Sequence, residues 1–252
     1  MAQFDLKEGS LDGTPLYIVG GGESLRLFDW SLLQGREKVL VINRAFLNVP
    51  DASFWFSEDL RVVELYGRTP EWRRFGGKKI FHALKPSFAT QAMEIDPAIT
   101  PIIRTREDKF WSRRFREGLS ISSNSGVGAI NLAWLLGADP IYLLGFDCVV
   151  GNFHDDYVKA GFDEAGPIHM NSYKSDFEHW VAPHVRDRRI INLVDQDRMS
   201  ALECWPRVDR DLFLKHGQIA RYKRVIRDGE SSFEVVEVSS GTGRGSEAAA
   251  AP

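Results

Sequence analysis

Short apolar runs separated by polar, glycine-rich breaks set the rhythm of the first 60 residues. "PLYIVG" (15–20), "KVLVIN" (38–43) and "ASFWFSED" (52–59) each suit one strand and are too short for a helix. Between the first two, Leu25, Phe28, Leu32 and Leu33 recur at helical spacing and Gly35 closes the run, which predicts a helix over 24–35. Strand, helix and strand with short connections form the pattern of a parallel α/β sheet. Over 60–118 the rhythm weakens, with "KKIFHAL" (78–84) and "ITPIIRT" (99–105) reading as strands around an irregular insertion. It sharpens in "SSNSGVGAINLAWLLGADPIYLLGFD" (122–147): a loop, a helix apolar on nearly every side, a stop at Gly137 and a buried strand. Such a helix must be covered on most faces. A long polar loop (148–171), a helix (172–185), the strand "RIINLV" (189–194) and a short closing segment follow.

The expected fold is therefore α/β: a Rossmann-like, mostly parallel sheet with helices on both faces, a single domain with a long active-site loop. Its expected divisions are a leader (1–14), the main domain (15–215), a C-terminal extension (216–238) and a disordered tail (239–252), where composition collapses to Ser, Gly and Ala. Hydrophobic content of 43% and charged content of 27% are those of a globular protein. No apolar run approaches the roughly 20 residues of a membrane span. The first residues lack the basic start and apolar middle of a signal peptide, so a cytoplasmic location is expected. Cys148 and Cys204 are too few for a disulfide scaffold and read as buried thiols.

A net charge of −3 gives no global attraction to nucleic acid. Locally, "EWRRFGGKK" (71–79) and "RTREDKFWSRRFRE" (104–117) interleave basic and aromatic residues. They read either as amphipathic segments with aromatics in the core, or as a groove that grips phosphates and stacks bases.

Candidate chemistry gathers at strand ends. Gly20, Gly21 and Gly22 follow the first strand, where a turn into a helix start presents backbone N–H groups and lets a phosphate approach. The pattern is neither G-x-G-x-x-G nor a Walker loop, so a plain turn is the competing reading. Ser24 could cap the following segment or donate to a ligand oxygen. Asn43 ends the second strand and faces the same crevice, unless it only makes a turn. In "SSNSGVG", Asn124, Ser125 and Gly126 open the buried helix. Ser125 is either its cap or part of a second helix end aimed at the crevice. Asp147 ends the strand "PIYLLGFD" at the ligand-binding edge. His154 and His169 lie in the long loop beyond it and suit proton transfer near neutral pH. Asp155 and Asp156 beside His154 form the best metal-like cluster, yet no metal site is expected. No Ser-His-Asp, Cys-His or G-x-S-x-G arrangement is evident.

In order, "LYIVGGGESL", "VLVINRAF" and "SSNSGVGAINLAWLLGADPIYLLGFD" resemble the superfamily joining lipooligosaccharide-type bacterial sialyltransferases with 6-hydroxymethylpterin pyrophosphokinase-like proteins. Motility-associated flagellin glycosylation factors carry a similar domain, and "RIINLVDQDRMSALECWPR" is similar to tailed-phage members. The resemblance implies a nucleotide site. Gly20, Gly22 and Ser24 would contact phosphates or ribose, Asn43 the phosphate-sugar region, and Asn124, Ser125 and Gly126 the nucleotide, with Asp147 shaping the site. Gly21 lies within the loop, where the sialyltransferases have Asn. His169 falls at the general-base position, and Tyr157 approximates one tyrosine that stabilises the departing phosphate. Glu23, Ser122 and Val149 also depart from the family pattern.

Three functions follow from these residues and the resemblance. The first is a glycosyltransferase-like enzyme moving a group from a nucleotide-activated donor of unspecified base to an acceptor hydroxyl, without a metal, with His169 as base. The second is an ATP-dependent pyrophosphokinase acting on a hydroxymethyl group, which would need Mg²⁺ on carboxylates such as Asp59, Asp147, Asp155 or Asp156. The third is a catalytically silent nucleotide-binding module. A glycan, a small molecule and a modified DNA base are open as acceptors, and so is a homo-oligomeric state.

Overall fold

The structure, a computed structural model, describes residues 6–36, 38–105, 110–120, 124–161, 167–195, 200–227 and 230–240. The first three apolar runs form β1 (Leu16–Val19), β2 (Val39–Ile42) and β3 (Phe54–Ser57). α1 (Leu60–Tyr66) and α2 (Pro70–Arg74) lead to β4 (Lys78–Ala83), and α3 (Pro86–Ile95) leads to β5 (Thr100–Ile103). The apolar segment gives α4 (Ser125–Leu136) and β6 (Ile141–Leu144). Then come α5 (Asp156–Lys159), α6 (Pro167–Ser175), α7 (Ala182–His184), β7 (Ile190–Val194), β8 (Arg207–Asp209) and α8 (Arg210–His216). A hairpin of β9 (Gln218–Arg227) and β10 (Glu230–Ser240) ends the described chain.

One sheet of ten strands runs in the order β10-β9-β8-β7-β6-β1-β2-β3-β4-β5. β1 to β8 are mutually parallel, and β9 and β10 continue the sheet antiparallel. Alternation along the strands feeds two cores. Leu16, Ile18, Leu40 and Ile42 pack with Val127 and Ile130 of α4. Tyr17, Val19, Val39 and Val41 pack with Val62 of α1 and Phe213 of α8 on the other face. With both faces covered, the strands read as continuous apolar runs. The protein is thus an open, Rossmann-like α/β sheet with helices on both faces.

Several local expectations give way to finer structure. Residues 24–35 are not one helix but two 3-10 turns, Glu23–Leu25 and Trp30–Leu33. Asp29 accepts the Ser31 N–H at 3.1 Å and starts the second turn. Leu25, Phe28 and Leu33 are buried, so their spacing reported burial and not helix. The irregular insertion holds α3, opened by Pro86 where a missing N–H costs nothing. α6 starts inside the expected loop, at Pro167, and continues through a π-helical turn, Asp176–Val181, into α7. Leader residues 6–14 are tied down: Gly9 N–H donates to Leu135 O and Leu11 N–H to Leu136 O, satisfying terminal carbonyls of α4. Ser239 and Ser240 belong to β10, and 241–252 lie outside the described residues.

Trp72, Phe75, Phe110, Trp111 and Phe115, from the two basic-aromatic stretches, are all buried. That is the core arrangement and not an open stacking surface; residues 106–109 lie outside the description.

Candidate functional site

Chain order reverses at the centre of the sheet. β2 to β5 extend from one side of β1, and β6 returns to pair with its other side. At such a switch point the loops leaving the strand ends diverge and leave a crevice. Here the crevice is a cleft of about 770 Å³, lined by Gly20–Gly22 after β1, Asn43 after β2, Glu58 and Asp59 after β3, and Asn124–Gly126 at the start of α4. Gly145–Val149 after β6, Tyr157, and Met170, Tyr173 and Phe177 close its other side. Its size is that of a small-molecule site.

The three glycines have different tasks. A Cβ on Gly20 would come 2.8 Å from Gly145 O, and one on Gly22 would come 2.3 Å from Asp147 Oδ2 and 2.6 Å from Gly145 O. These two glycines let the β1 turn press against the end of β6. At Gly21 a Cβ meets only the end of Asn152, at 3.2 Å from Oδ1. Phe153 N–H donates to Gly21 O, and Arg26 donates to Asn152 O and Asp155, so the loop after β6 is clamped to the glycine turn.

Asp147 is spoken for. Its carboxylate accepts the Ser24 N–H at 2.8 Å and the Ser24 hydroxyl at 2.7 Å. Burial raises its pKa against those two bonds and the nearby Arg210 charge. Arg210, itself buried, donates to Ser24 O, so Ser24 and Asp147 brace the floor of the cleft from within. Ser24 is not among the lining residues.

Asn43 sits at φ +52°, a left-handed conformation that Asn tolerates better than most residues. Its carbonyl accepts the Trp55 indole N–H at 2.8 Å. Its side-chain Oδ1 is buried with no hydrogen-bond partner among the described residues. Such an atom costs about 1–3 kcal/mol unless something donates to it. At the start of α4, Asn124 is the cap, accepting the Gly126 N–H at 3.0 Å, and Ser125 is the first helical residue. Gly126 packs where a Cβ would lie 2.9 Å from Phe146 and Phe177 ring atoms.

The histidines sit elsewhere. His169 is exposed on α6, one residue before Met170, and is not among the lining residues. His154 is buried outside the cleft lining, with Nδ1 accepting the Asp156 N–H at 3.3 Å. Burial, then the Arg44 charge, pull its pKa down to about 4, so it is neutral at pH 7. Tyr157 does line the cleft, its phenol pushed up by burial. Cys148 and Cys204 are half-buried free thiols, each pushed up to about 12, chiefly by burial.

Glu58 and His82 were singled out by no motif. Glu58 lines the cleft, and its Oε1 stands 2.8 Å from Nδ1 of the fully buried His82. The two residues lie one step beyond the Ser57–Phe81 register pair of β3 and β4. The pairing of β3 with β4 brings them together across 24 residues, which no local spacing could have signalled.

Among the described residues, no group of three or more His, Cys, Asp or Glu side chains is placed to hold a metal ion. The carboxylates named for Mg²⁺ have protein partners: Asp59 with Arg61, Asp155 with Arg26, Asp156 with Arg44, and Asp147 with Ser24. Nor is any described helix long and apolar enough to cross a membrane.

No family model matches the chain, and no curated protein matches it. Solved structures do. The sialyltransferase CST-II, in complex with a trisaccharide acceptor and CMP, has 14% identity and a TM-score of 0.47 over 75% of this chain and 86% of its own. The sialyltransferase CstII from Campylobacter jejuni, in complex with a substrate analogue, cytidine-5'-monophosphate, has 14% identity and a TM-score of 0.41 over 75% of this chain and 85% of its own. Likeness of this degree maps no residue of those enzymes onto the cleft.

Proposed function

We propose that the cleft binds a nucleotide-activated donor and that the protein transfers a group from it to an acceptor hydroxyl. The observation that carries this reading is convergence. A glycine turn, the first turn of α4 and Asn43 meet at one switch-point cleft. Gly21 is the glycine whose backbone a ligand can approach, and the start of α4 favours negative charge. An anionic phosphate suits those two features. Asn43 lines the same wall and carries an amide that can donate as well as accept. Phe146, Phe177 and Tyr173 supply apolar wall for a base or sugar. The family resemblance of the glycine loop, Asn43 and the Ser125 helix start points the same way, toward transfer to a glycan or another hydroxyl-bearing acceptor.

A thermal-shift panel of CMP, UDP, GDP and ADP, with and without Mg²⁺, followed by release assays on the matching nucleotide sugars, tests the reading. The expected result is one base class that stabilises the fold and is released from its activated form. If no nucleotide stabilises the protein at about 1 mM, a concentration that detects binding as weak as that Kd, the reading falls.

A further inference from the structure

Transfer to a hydroxyl needs a group to take its proton. The histidines of the post-β6 region do not line the cleft, whereas four carboxylates do. Asp59 is paired with Arg61, Asp147 with Ser24, and Glu64 is exposed on α1, which leaves Glu58, held by a buried histidine. We infer that Glu58 is the proton acceptor of the cleft, oriented by His82, an inference that rests on the transferase reading above.

The hydrogen bonds define the state of the pair. His82 Nε2 accepts the Leu119 backbone N–H at 3.3 Å, so that nitrogen carries no proton. The imidazole proton is therefore on Nδ1, which donates to Glu58 Oε1 at 2.8 Å. His82 has no exposed surface and both its nitrogens are engaged, so it holds the carboxylate in place and does not itself meet a substrate. Oε1 is committed; Oε2 is the oxygen left to work. α4 adds a second constraint. A Cβ on Gly128 would stand 2.5 Å from Oε1 and 2.9 Å from Phe56 Cζ, so only glycine lets this helix close over the carboxylate.

The surroundings favour proton uptake. Burial raises the Glu58 pKa above the ordinary carboxylate range; the His82 hydrogen bond and the Arg104 charge pull it partly back. Among the described residues, the ionisable groups facing it are the neutral His82 from β4 and the Arg104 charge after β5, and α4 presents no charge beside it, only Gly128. On its own segment, neighbouring Asp59 is paired with Arg61. A base whose proton affinity is raised toward neutral pH takes a proton more effectively than an ordinary carboxylate. In the transfer, Glu58 Oε2 takes the hydroxyl proton as that oxygen bonds to the electrophilic carbon of the donor. The bond from that carbon to the nucleotide phosphate oxygen breaks, its electron pair leaving with the phosphate. The proton then passes from Glu58 to water.

Glu58→Gln keeps an acceptor for His82 and removes the base. With the nucleotide sugar identified by the panel, the expected result is a loss of turnover of about 100-fold or more, with the thermal shift by its nucleotide retained. His82→Leu, which deletes the bond that lowers the Glu58 pKa, should move the acidic limb of the pH–rate profile upward; His82→Asn, which keeps an N–H near the Nδ1 position, should move it less. Glu58→Gln turnover within about threefold of the parent overturns the inference, and a simultaneous collapse in His169→Ala returns the role to that residue. Should no nucleotide bind at all, the transferase reading fails separately. Glutamate ¹³C NMR, assigned with Glu58→Gln, then decides: a Glu58 carboxyl titrating with the surface glutamates overturns the inference, and one titrating well above them sustains it.

Discussion

Gly22→Ala and Gly21→Ala, adjacent changes of one methyl group, should separate the packing role of the glycine turn from its ligand role. An ordinary contact for the new carbon begins near 3.4 Å, and at Gly22 it would start 2.3 Å from Asp147 Oδ2. The carboxylate or the turn must therefore shift by about 1.1 Å, the difference of those distances. A shift of that size stretches the 2.7 and 2.8 Å bonds from Ser24 beyond hydrogen-bonding range. Each bond to a charged group contributes roughly 1.5–3 kcal/mol, so losing one or both costs about 1.5–6 kcal/mol. For a chain of this size, each kcal/mol lowers Tm by about 2–4 °C, giving a fall of roughly 3–24 °C. At Gly21 only the tip of Asn152 must move by a few tenths of an ångström, and the cost stays below about 1 kcal/mol. Circular-dichroism melts of the two variants read the difference directly. Equal stability would refute the packing of the glycine turn against Asp147 and Gly145. Gly21→Ala has its consequence in the cleft, where its methyl group should weaken nucleotide binding while lowering the melt by less than about 4 °C.

Other consequences follow from buried charges and caps. Glu58 has its folded pKa raised, so the stability of its protonated form is present below the unfolded pKa and lost as pH rises through the folded one. Glu58→Gln should accordingly gain stability relative to the parent as pH rises from 4 to 8, by about 1.4 kcal/mol per unit of elevation, and a flat difference in melts across that range would contradict it. Asp96 runs the other way: opposing its partial burial, Lys79, the Ala98 N–H and the Trp72 indole lower its pKa, so its contribution is full above the unfolded value and lost on acidification. Asp96→Ala leaves the largely buried Lys79 ammonium unpaired and should cost about 3–5 kcal/mol in denaturant unfolding at pH 7; a cost under about 1 kcal/mol would contradict it. Asn124→Ala removes the α4 cap and should cost about 1 kcal/mol by the same measurement. Cys148 and Cys204, both pushed up to about 12, should alkylate far more slowly than a free thiol at pH 7.5, and rapid labelling in the folded protein would contradict their burial.

Much of the frame was legible because parallel strands covered on both faces leave a plain signal. The runs at 16–19, 39–42 and 141–144 are apolar at every position, and each ends where a glycine or polar residue leaves the sheet. The cleft edge was legible for the same reason, since ligands gather where such strands end. Side-chain direction was not. Ser24, expected to cap or to meet a ligand, turns inward to Asp147, and His169 points to solvent. Periodicity misled at 24–35, where Asp29 and Ser31 restart the chain in a second turn while the apolar spacing still serves the core. Glu58 and His82 were invisible because their meeting depends on the register of β3 and β4 and on Gly128 in α4, three segments no local pattern connects.

In the proposed function, Asn43 and the glycine turn form one wall of a nucleotide site. Isothermal titration of the nucleotide selected by the panel into the parent protein and Asn43→Gly tests it most directly. Glycine keeps the left-handed backbone and deletes only the amide. The expected result is saturable binding to the parent and a Kd weaker by about 3–10-fold in the variant, the worth of one neutral hydrogen bond. Equal affinities in the two proteins, or no heat of binding in either, would contradict it.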